Sequence, residues 1–440
     1  MNHLILRPPR RARESGAAVR PQRGLALLFV LPALLLLGAL VVYPIGYSVA
    51  RSLFDASGHR FVGLDNYGAA FTDHATLTAV RNNAIWVAVA PALVTAIGLV
   101  FAVLTEKVRW ATAFKLLVFM PMAISFLAAG IIFRTVYDAD PHRGVLNAAA
   151  VAVHDTFTDQ PSYPGARPRP GTGLDQAQGG DVTAPAATRA VLLPLVGVQP
   201  GAIPAAAQAA RLPTGDDGVS GTAFLDFVPG GGGRPGRLDP GKKGLPGLKV
   251  QLRDGGRTIA TTTTAADGTF RFAAAPSATL TVVLPAADFA APYRGVDWLG
   301  PALVTPAIIG AYTWIWAGFA MVIIAGGLAN LPRETIEAAR IDGAGEWQIF
   351  RRITVPQLAP VLGVVFVTMV INVMKIFDLV YIIAPGPVQQ DADVLALRLY
   401  LVSFGGGNDQ GLGSALSVLL LLLVVPVMLL NVRRFRGSHT

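Results

Sequence analysis

Glu337-Ala-Ala-Arg-Ile-Asp-Gly343, nine further residues, then Ile353-Thr-Val-Pro356 form the stretch on which the reading of this chain turns. Pro332 stands in the first turn of a short helix, where a missing N–H costs nothing, and Glu334 lies near the positive end of the helix dipole. Gly343 ends that helix where a left-handed backbone is favoured. A second short helix carries Trp347, Phe350 and Ile353 at near-helical spacing and stops before Pro356. Ala338 and Ala339 leave one side slim. The stretch therefore predicts a compact, amphipathic helix–turn–helix suited to a groove on a partner protein.

What flanks this element is apolar. Hydrophobic residues make up 52% of the chain and charged residues 14%, against roughly 25% charge in soluble domains. The excess falls in blocks of about 20 residues, the length a helix needs to cross about 30 Å of hydrocarbon. Six spans are expected, near 25–50, 79–104, 114–135, 298–325, 360–384 and 411–432. The first is longer than a signal-peptide core and has no small-residue cleavage site behind it, so it reads as a retained anchor.

The net charge of +9 follows the same plan. Arg7, Arg10, Arg11, Arg13, Arg20 and Arg23 precede the first block, and Arg433, Arg434 and Arg436 follow the last. With both termini cytoplasmic, Lys107, Arg109, Arg333, Arg340, Arg351 and Arg352 all fall on the inside, as the positive-inside rule requires. This distribution argues for a multi-pass plasma-membrane protein and against nucleic-acid binding. The absence of cysteine excludes disulfides, thiolate nucleophiles and Cys-based zinc sites.

The loops at 51–78, 136–297 and 385–410 then face outward. The middle one is too long for a structureless connection. Its first half, 138–217, is rich in Pro, Ala and Gly and reads as a mostly disordered extracytoplasmic linker. Its second half, 218–286, alternates as strands do, at 221–227, 248–252, 258–263, 269–272 and 279–284, with turns at Asp254-Gly255-Gly256 and Asp267-Gly268. A small β-sandwich is expected there. Gly244-Leu-Pro-Gly-Leu-Lys-Val250 and Ala266-Asp-Gly-Thr-Phe-Arg-Phe272 resemble Cna-B-like or carboxypeptidase-regulatory-like modules.

The opening stretch also matches a spaced pattern, EAA, three residues, G, nine residues, I-x-L-P, at Glu337, Ala338, Ala339, Gly343, Ile353 and Pro356. Val355 replaces the usual leucine. The pattern resembles the coupling loop of ATP-binding-cassette importer permeases. Glu346-Trp-Gln348, Phe350-Arg-Arg-Ile-Thr354, Phe61-Val-Gly-Leu-Asp-Asn-Tyr67, Phe119-Met-Pro-Met-Ala-Ile124, Lys375-Ile-Phe-Asp378 and Asn431-Val-Arg-Arg-Phe435 are similar to the carbohydrate-uptake subgroup. The resemblance covers about 1–150 and 296–440.

The resemblance implies a membrane all-α fold, a six-transmembrane-helix type I importer permease with a small extracytoplasmic β-sandwich insert. Its parts would be a basic cytoplasmic N-terminus at 1–24, helices 1–3 at 25–137, the linker at 138–217, the sandwich at 218–286, and helices 4–6 at 297–440 with the coupling loop at 331–358. The implied work is sugar import without catalysis in this chain. The implied partners are a cytoplasmic ATP-binding dimer that holds ATP and magnesium, a second and different permease, an extracytoplasmic solute-binding protein, and lipid. A rival reading is a membrane-anchored surface protein acting through its β-module.

Within the spans, Asn372, Lys375 and Asp378 are spaced three apart and are expected along one helical face. Intramembrane charges normally face a pathway or a bundle interior, so these line a sugar route or pack span five against a partner as an ion pair. Asn82, Asn83, Trp314 and Trp316 are lesser candidates, the tryptophans being expected as interface anchors. Two signals are set aside. Gly236-Arg-Leu-Asp-Pro-Gly-Lys-Lys243 nearly spells a phosphate loop, but Lys243 occupies the Ser/Thr position and no strand-loop-helix context surrounds it. His142 and His154, with Asp140, Asp155 and Asp159, lack ligand spacing.

Overall fold

The computed structural model describes residues 23–106, 109–176, 180–186, 190–198, 200–213 and 218–437. Arg7, Arg10, Arg11, Arg13, Arg20 and Lys107 lie outside the described residues. The chain divides into two compact units, one from the segments up to Arg134 and from Trp298 onward, the other Thr135–Asp297.

The first unit is helical. Helices α1 (Arg23–Leu37) and α2 (Tyr43–Arg51) are joined by a π-turn at Gly38–Val42. Next come α3 (Asp65–Thr72) and α4 (His74–Glu106). Helix α5 (Ala111–Phe119) runs through a tight turn at Met120–Ala123 to α6 (Phe126–Val136). After the second unit follow α8 (Val304–Ala329), α9 (Arg333–Ile341) and α10 (Glu346–Ile349). The last are α11 (Val355–Met374), α12 (Asp378–Ile383), α13 (Gln389–Ala392), α14 (Leu395–Ser403) and α15 (Gln410–Gly437). Among the described residues four helices are long and apolar enough to cross a membrane, five if the α5–α6 pair is one span. Helix α15 carries a further apolar segment, Gln410–Pro426.

Small residues set the packing of this unit. A Cβ at Gly98 of α4 would stand 2.5 Å from the Cβ of Ala320 on α8, so the two helices cross where neither carries bulk. Trp86 of α4 is fully buried and meets Tyr312 of α8 edge-on at 5.6 Å.

Three expectations about the spans are corrected. Span three is not straight: α5 and α6 are bent by 101°. Pro121 lies in the tight turn, and Ser125 restarts the chain as a cap, its Oγ accepting from Ala128 N–H at 3.2 Å. The second short helix does not stop before Pro356. Glu346–Met374 is one continuous helix that passes through a π-turn at Phe350–Thr354. There Val355 N–H reaches back to Phe350 O, so the following residue needs no N–H, and proline fits. The same device precedes Pro44, where Tyr43 N–H reaches Gly38 O. Span five, finally, breaks at Lys375–Phe377. Asn372, Lys375 and Asp378 therefore do not share one uninterrupted helical face.

The second unit begins with α7 (Val145–Phe157) and is otherwise built of strands. These are β1 (Arg167–Pro168), β2 (Asp175–Gln176), β3 (Val182–Pro185), β4 (Ala190–Val196) and β5 (Val219–Leu225). They continue with β6 (Lys249–Asp254), β7 (Arg257–Thr263), β8 (Thr269–Phe272) and β9 (Leu280–Leu284). One sheet has the order β1-β4-β5-β8 and the other β2-β3-β9-β6-β7. Both contribute to a single core that includes Leu193, Leu195, Val219, Leu248, Leu252, Phe270 and Val282.

The five strands expected after residue 218 stand where the alternation put them. The preceding segment, expected as a mostly disordered linker, instead supplies α7 and β1–β4. Strand β4 is buried on both sides and pairs in parallel with β5, and a strand covered on both faces shows no alternation. Pro194 within it further masks the signal.

Lys242, in the stretch set aside above as a near-match to a phosphate loop, is fully buried. Its ammonium meets the carboxylate of Asp226 and donates to the carbonyls of Arg234 and Arg237, each at 2.6 Å. The aromatic ring of Phe224 lies 5.6 Å below it.

Candidate functional site

Two features of the helical unit carry the chemistry, and one helix connects them. The first is the turn between α9 and α10. Asp342, Gly343 and Ala344 donate their N–H groups back to Ala338, Arg340 and Ala339 at 3.0, 3.1 and 2.9 Å, closing α9. Gly343 takes φ of +83°, which a side chain would strain. Arg340 reaches across the turn to Glu346 at 3.0 Å. Gly345 N–H donates to the Gln348 side-chain oxygen at 3.1 Å, half of a capping box for α10.

This turn presents an exposed apolar tip. Ile341 is 86% exposed and Trp347 69%, the latter stacked on Phe350 at 5.4 Å. Glu337 and Ala338 are exposed, Ala339 and Ile353 half-buried, and Pro356 exposed. Large apolar side chains held open beside charged ones are the composition of a docking surface.

The second feature is a cavity of about 230 Å³ at the other end of α11, lined by Phe126, Tyr312, Trp316, Asn372, Lys375–Phe377, Asp378 and Leu379. The break in span five creates it: Met374 ends α11 and Asp378 restarts the chain as α12. All three polar residues singled out in span five reach this cavity, brought there by the break rather than by a shared face. Lys375 and Asp378 are exposed, and among the described residues no ion pair joins them. The Asn372 amide donates to Thr368 O at 3.0 Å and keeps its oxygen for the cavity. The Trp316 indole N–H has no partner among the described residues.

Trp316 thus lines the cavity, contrary to the anchor expectation, while Trp314 is 42% exposed and packs on Phe133. Tyr312 and Phe126 were not singled out by sequence, and Phe377 entered only within the Lys375–Asp378 motif. Tyr312 and Trp316 are four apart on one helix, the one signal that pointed to a shared aromatic face.

Asn82 and Asn83 serve elsewhere. Asn82 donates to the carbonyls of Asp391 and Asp393 at 2.7 and 2.8 Å, and Asn83 accepts from Leu395 N–H at 2.8 Å. They fasten α4 to the α13–α14 segment. Arg398 of α14 adds a pair with Asp73 at 2.8 Å. Among the described residues no three His, Asp or Glu side chains converge as a metal site. His154 lies stacked on Tyr293 at 4.3 Å.

Known proteins show the same plan. Residues 262–434 match the family model of binding-protein-dependent transport system inner membrane components. The osmoprotective compounds uptake permease protein GgtC of Synechocystis sp. is 30% identical over 417 residues, 94% of this chain and 99% of that protein. The alpha-glucoside transport system permease protein AglF of Rhizobium meliloti is 30% identical over 419 residues, covering 94% and 83%. A crystal structure of a bacterial ABC transporter involved in the import of the acidic polysaccharide alginate has a chain of similar fold. The TM-score is 0.53 at 14% identity, over 93% of this chain and 96% of that one. With a relative at this identity matched over nearly its whole length, the chain belongs to the binding-protein-dependent transport system inner membrane components, the permease subunits of ABC transporters.

Proposed function

We propose that this permease carries a sugar, of the glucose or short α-glucoside class, through the cavity beside Asn372, Lys375 and Asp378. In this reading the α9–α10 turn is the handle by which a separate ATPase drives it. The observation that carries the reading is the continuity of Glu346–Met374. This 29-residue helix spans about 43 Å at 1.5 Å per residue. Its first residues hold the exposed Trp347, and its end forms the wall of the cavity. A push on the turn therefore arrives at the cavity with no flexible joint in between.

The cavity's chemistry supports a sugar. Tyr312, Trp316 and Phe377 offer ring faces to the C–H side of a pyranose. Asn372, Lys375, Asp378 and the free indole N–H of Trp316 offer partners for its hydroxyls. No covalent step is needed in this chain; the work is differential exposure of one site to two membrane faces. The α-glucoside relative supports the substrate class.

The full assembly follows from the same reading. In this reading the chain crosses the membrane six times, with both termini in the cytoplasm and the β-rich unit outside. A cytoplasmic ATPase dimer holding ATP and magnesium seats the turns of this chain and of a second permease, and a solute-binding protein delivers the sugar. The test is ATP-dependent uptake of radiolabelled maltose or trehalose by the reconstituted complex. Trp316→Ala and Asn372→Ala are expected to lower uptake at least tenfold while the complex still assembles. Unchanged uptake in both variants contradicts the proposed pathway.

A further inference from the structure

Helix α7 carries a surface that the transport reading does not use. Its residues at fourfold spacing, Val145, Ala149, Val153 and Phe157, all face outward. The valines are 63% and 62% exposed and Phe157 is 84% exposed. Ala148 and Ala152 widen the stripe, and no charged residue interrupts it. The opposite side is committed to the fold: Asn147 is fully buried, and Val151 and His154 are half-buried. An uninterrupted apolar stripe on a helix with one face already packed calls for an apolar surrounding.

The chain limits what that surrounding is. Helix α6, the second arm of an apolar bent pair, ends at Val136, and the Asn147 amide donates to the carbonyl of Asp138 at 3.0 Å. The same amide donates to Val296 O at 3.0 Å, eight residues before α8 begins. The first turn of α7 is thus hydrogen-bonded to backbone two residues beyond one apolar helix and is also tied to the approach to another. Such short connections to apolar helices suit a helix at the level where hydrocarbon gives way to headgroups. At its margin Tyr293, 39% exposed, stacks on His154, and amphipathic rings of this kind concentrate at that level.

We propose that α7 is an interfacial helix, lying along the bilayer surface with the Val145–Ala149–Val153–Phe157 stripe sunk among lipid chains. The occupant of the stripe is lipid, not another protein subunit. The β-rich unit is thereby moored to lipid.

The absence of native cysteine makes the test direct. Val153→Cys, Phe157→Cys and, as a control on the exposed strand β7, Thr261→Cys are each labelled with an environment-sensitive fluorophore. The full chain is assembled with its partner subunits in nanodiscs containing doxyl-labelled phosphatidylcholine. The two α7 labels are expected to emit at shorter wavelength and to be quenched several-fold more by the doxyl lipid than the Thr261 label. Quenching of the α7 labels by aqueous iodide in place of lipid overturns the proposal. So does protection from both quenchers, which would mean that a protein subunit covers the stripe.

Discussion

Asn147 and Val296 hold each other by two hydrogen bonds, the amide donating to Val296 O at 3.0 Å and Val296 N–H donating to Asn147 Oδ1 at 2.8 Å. Residues near the start and the end of the inserted unit are thereby joined independently of its sheets. Farther in, Tyr163 and Gly165 donate their N–H groups to the carbonyls of Asp288 and Phe289 at 2.9 and 3.0 Å, so the chain leaves and returns at neighbouring points.

This arrangement sets where the insert can be removed. Replacing Ser162–Phe289 by a short Gly/Ser linker is expected to leave the Asn147 joint intact and to give a membrane-inserted, monodisperse permease. Deleting only 218–286 removes β5–β9, strands those before them, and exposes half a core. That variant is expected to aggregate or be degraded. Size-exclusion profiles from matched membrane preparations compare the two; equal behaviour contradicts the shared core.

Gly343 tests the handle. Among the described residues, no atom beyond its chain neighbours lies within 4 Å of where its Cβ would be, so a substitution meets chiefly the strain of φ +83°. That strain is of order 1–3 kcal/mol for a side-chain-bearing residue, and more for a β-branched one. Gly343→Val is expected to reshape the turn and abolish uptake while the spans remain folded and the protein reaches the membrane in normal amount. Wild-type uptake by this variant contradicts the role given to the turn.

Lys242 tests the β-rich unit. Lys242→Met removes the nearer of the two cations that face the buried Asp226 carboxylate, leaving Arg169 at 3.7 Å, a loss of at most about 3–5 kcal/mol, the cost of a fully broken buried pair. Limited proteolysis of the solubilised full chain is expected to show new cleavage within 162–289. Changing both partners together, Lys242→Met with Asp226→Leu, is expected to restore part of the resistance. Unaltered resistance in the single variant refutes the assignment.

Asp393 sets a pH dependence in the helical unit. It is fully buried in the segment between α13 and α14, outside the spans, and Oδ2 has no partner among the described residues. Burial pushes its carboxyl from 3.8 up to about 7, against the opposing pull of the Arg398 guanidinium. The folded state therefore favours the neutral acid. Its contribution is fullest below about pH 4, declines as pH rises towards about 7, and is level above that. Thermal melts of wild type minus Asp393→Asn are expected to show this slope, on the order of a few kcal/mol over the window. A difference independent of pH between 4 and 7 contradicts it.

The parts of this molecule that were legible in its sequence are those decided locally. The α9–α10 turn needs a glycine at one point and small residues beside it, and Gly343, Ala338 and Ala339 announce that. The spans announce themselves by length. The break at Lys375–Phe377 had no signal, because no proline or glycine marks it. Strand β4 was hidden by burial on both faces and by Pro194. The asparagines of α4 read as lesser pathway candidates because their partners lie 309 to 312 positions away, a distance over which no periodicity speaks. Lys242 was hidden for a related reason. Beside Lys243 it looks like a solvated charge, and only the closing of the 226–243 loop supplies the oxygens that hold it.

The central claim is that the α9–α10 turn grips an ATPase on behalf of a permease. Purification of the C-terminally tagged chain from its native membranes tests it most directly, comparing wild type with a Glu337→Ala, Gly343→Val double variant. An ATP-binding subunit and a second multi-span protein should accompany the wild-type chain, and the ATP-binding subunit should be lost from the variant while the second permease remains. If no ATP-binding subunit accompanies the wild type under several mild detergents, or if it stays equally with the variant, the turn is not the coupling element.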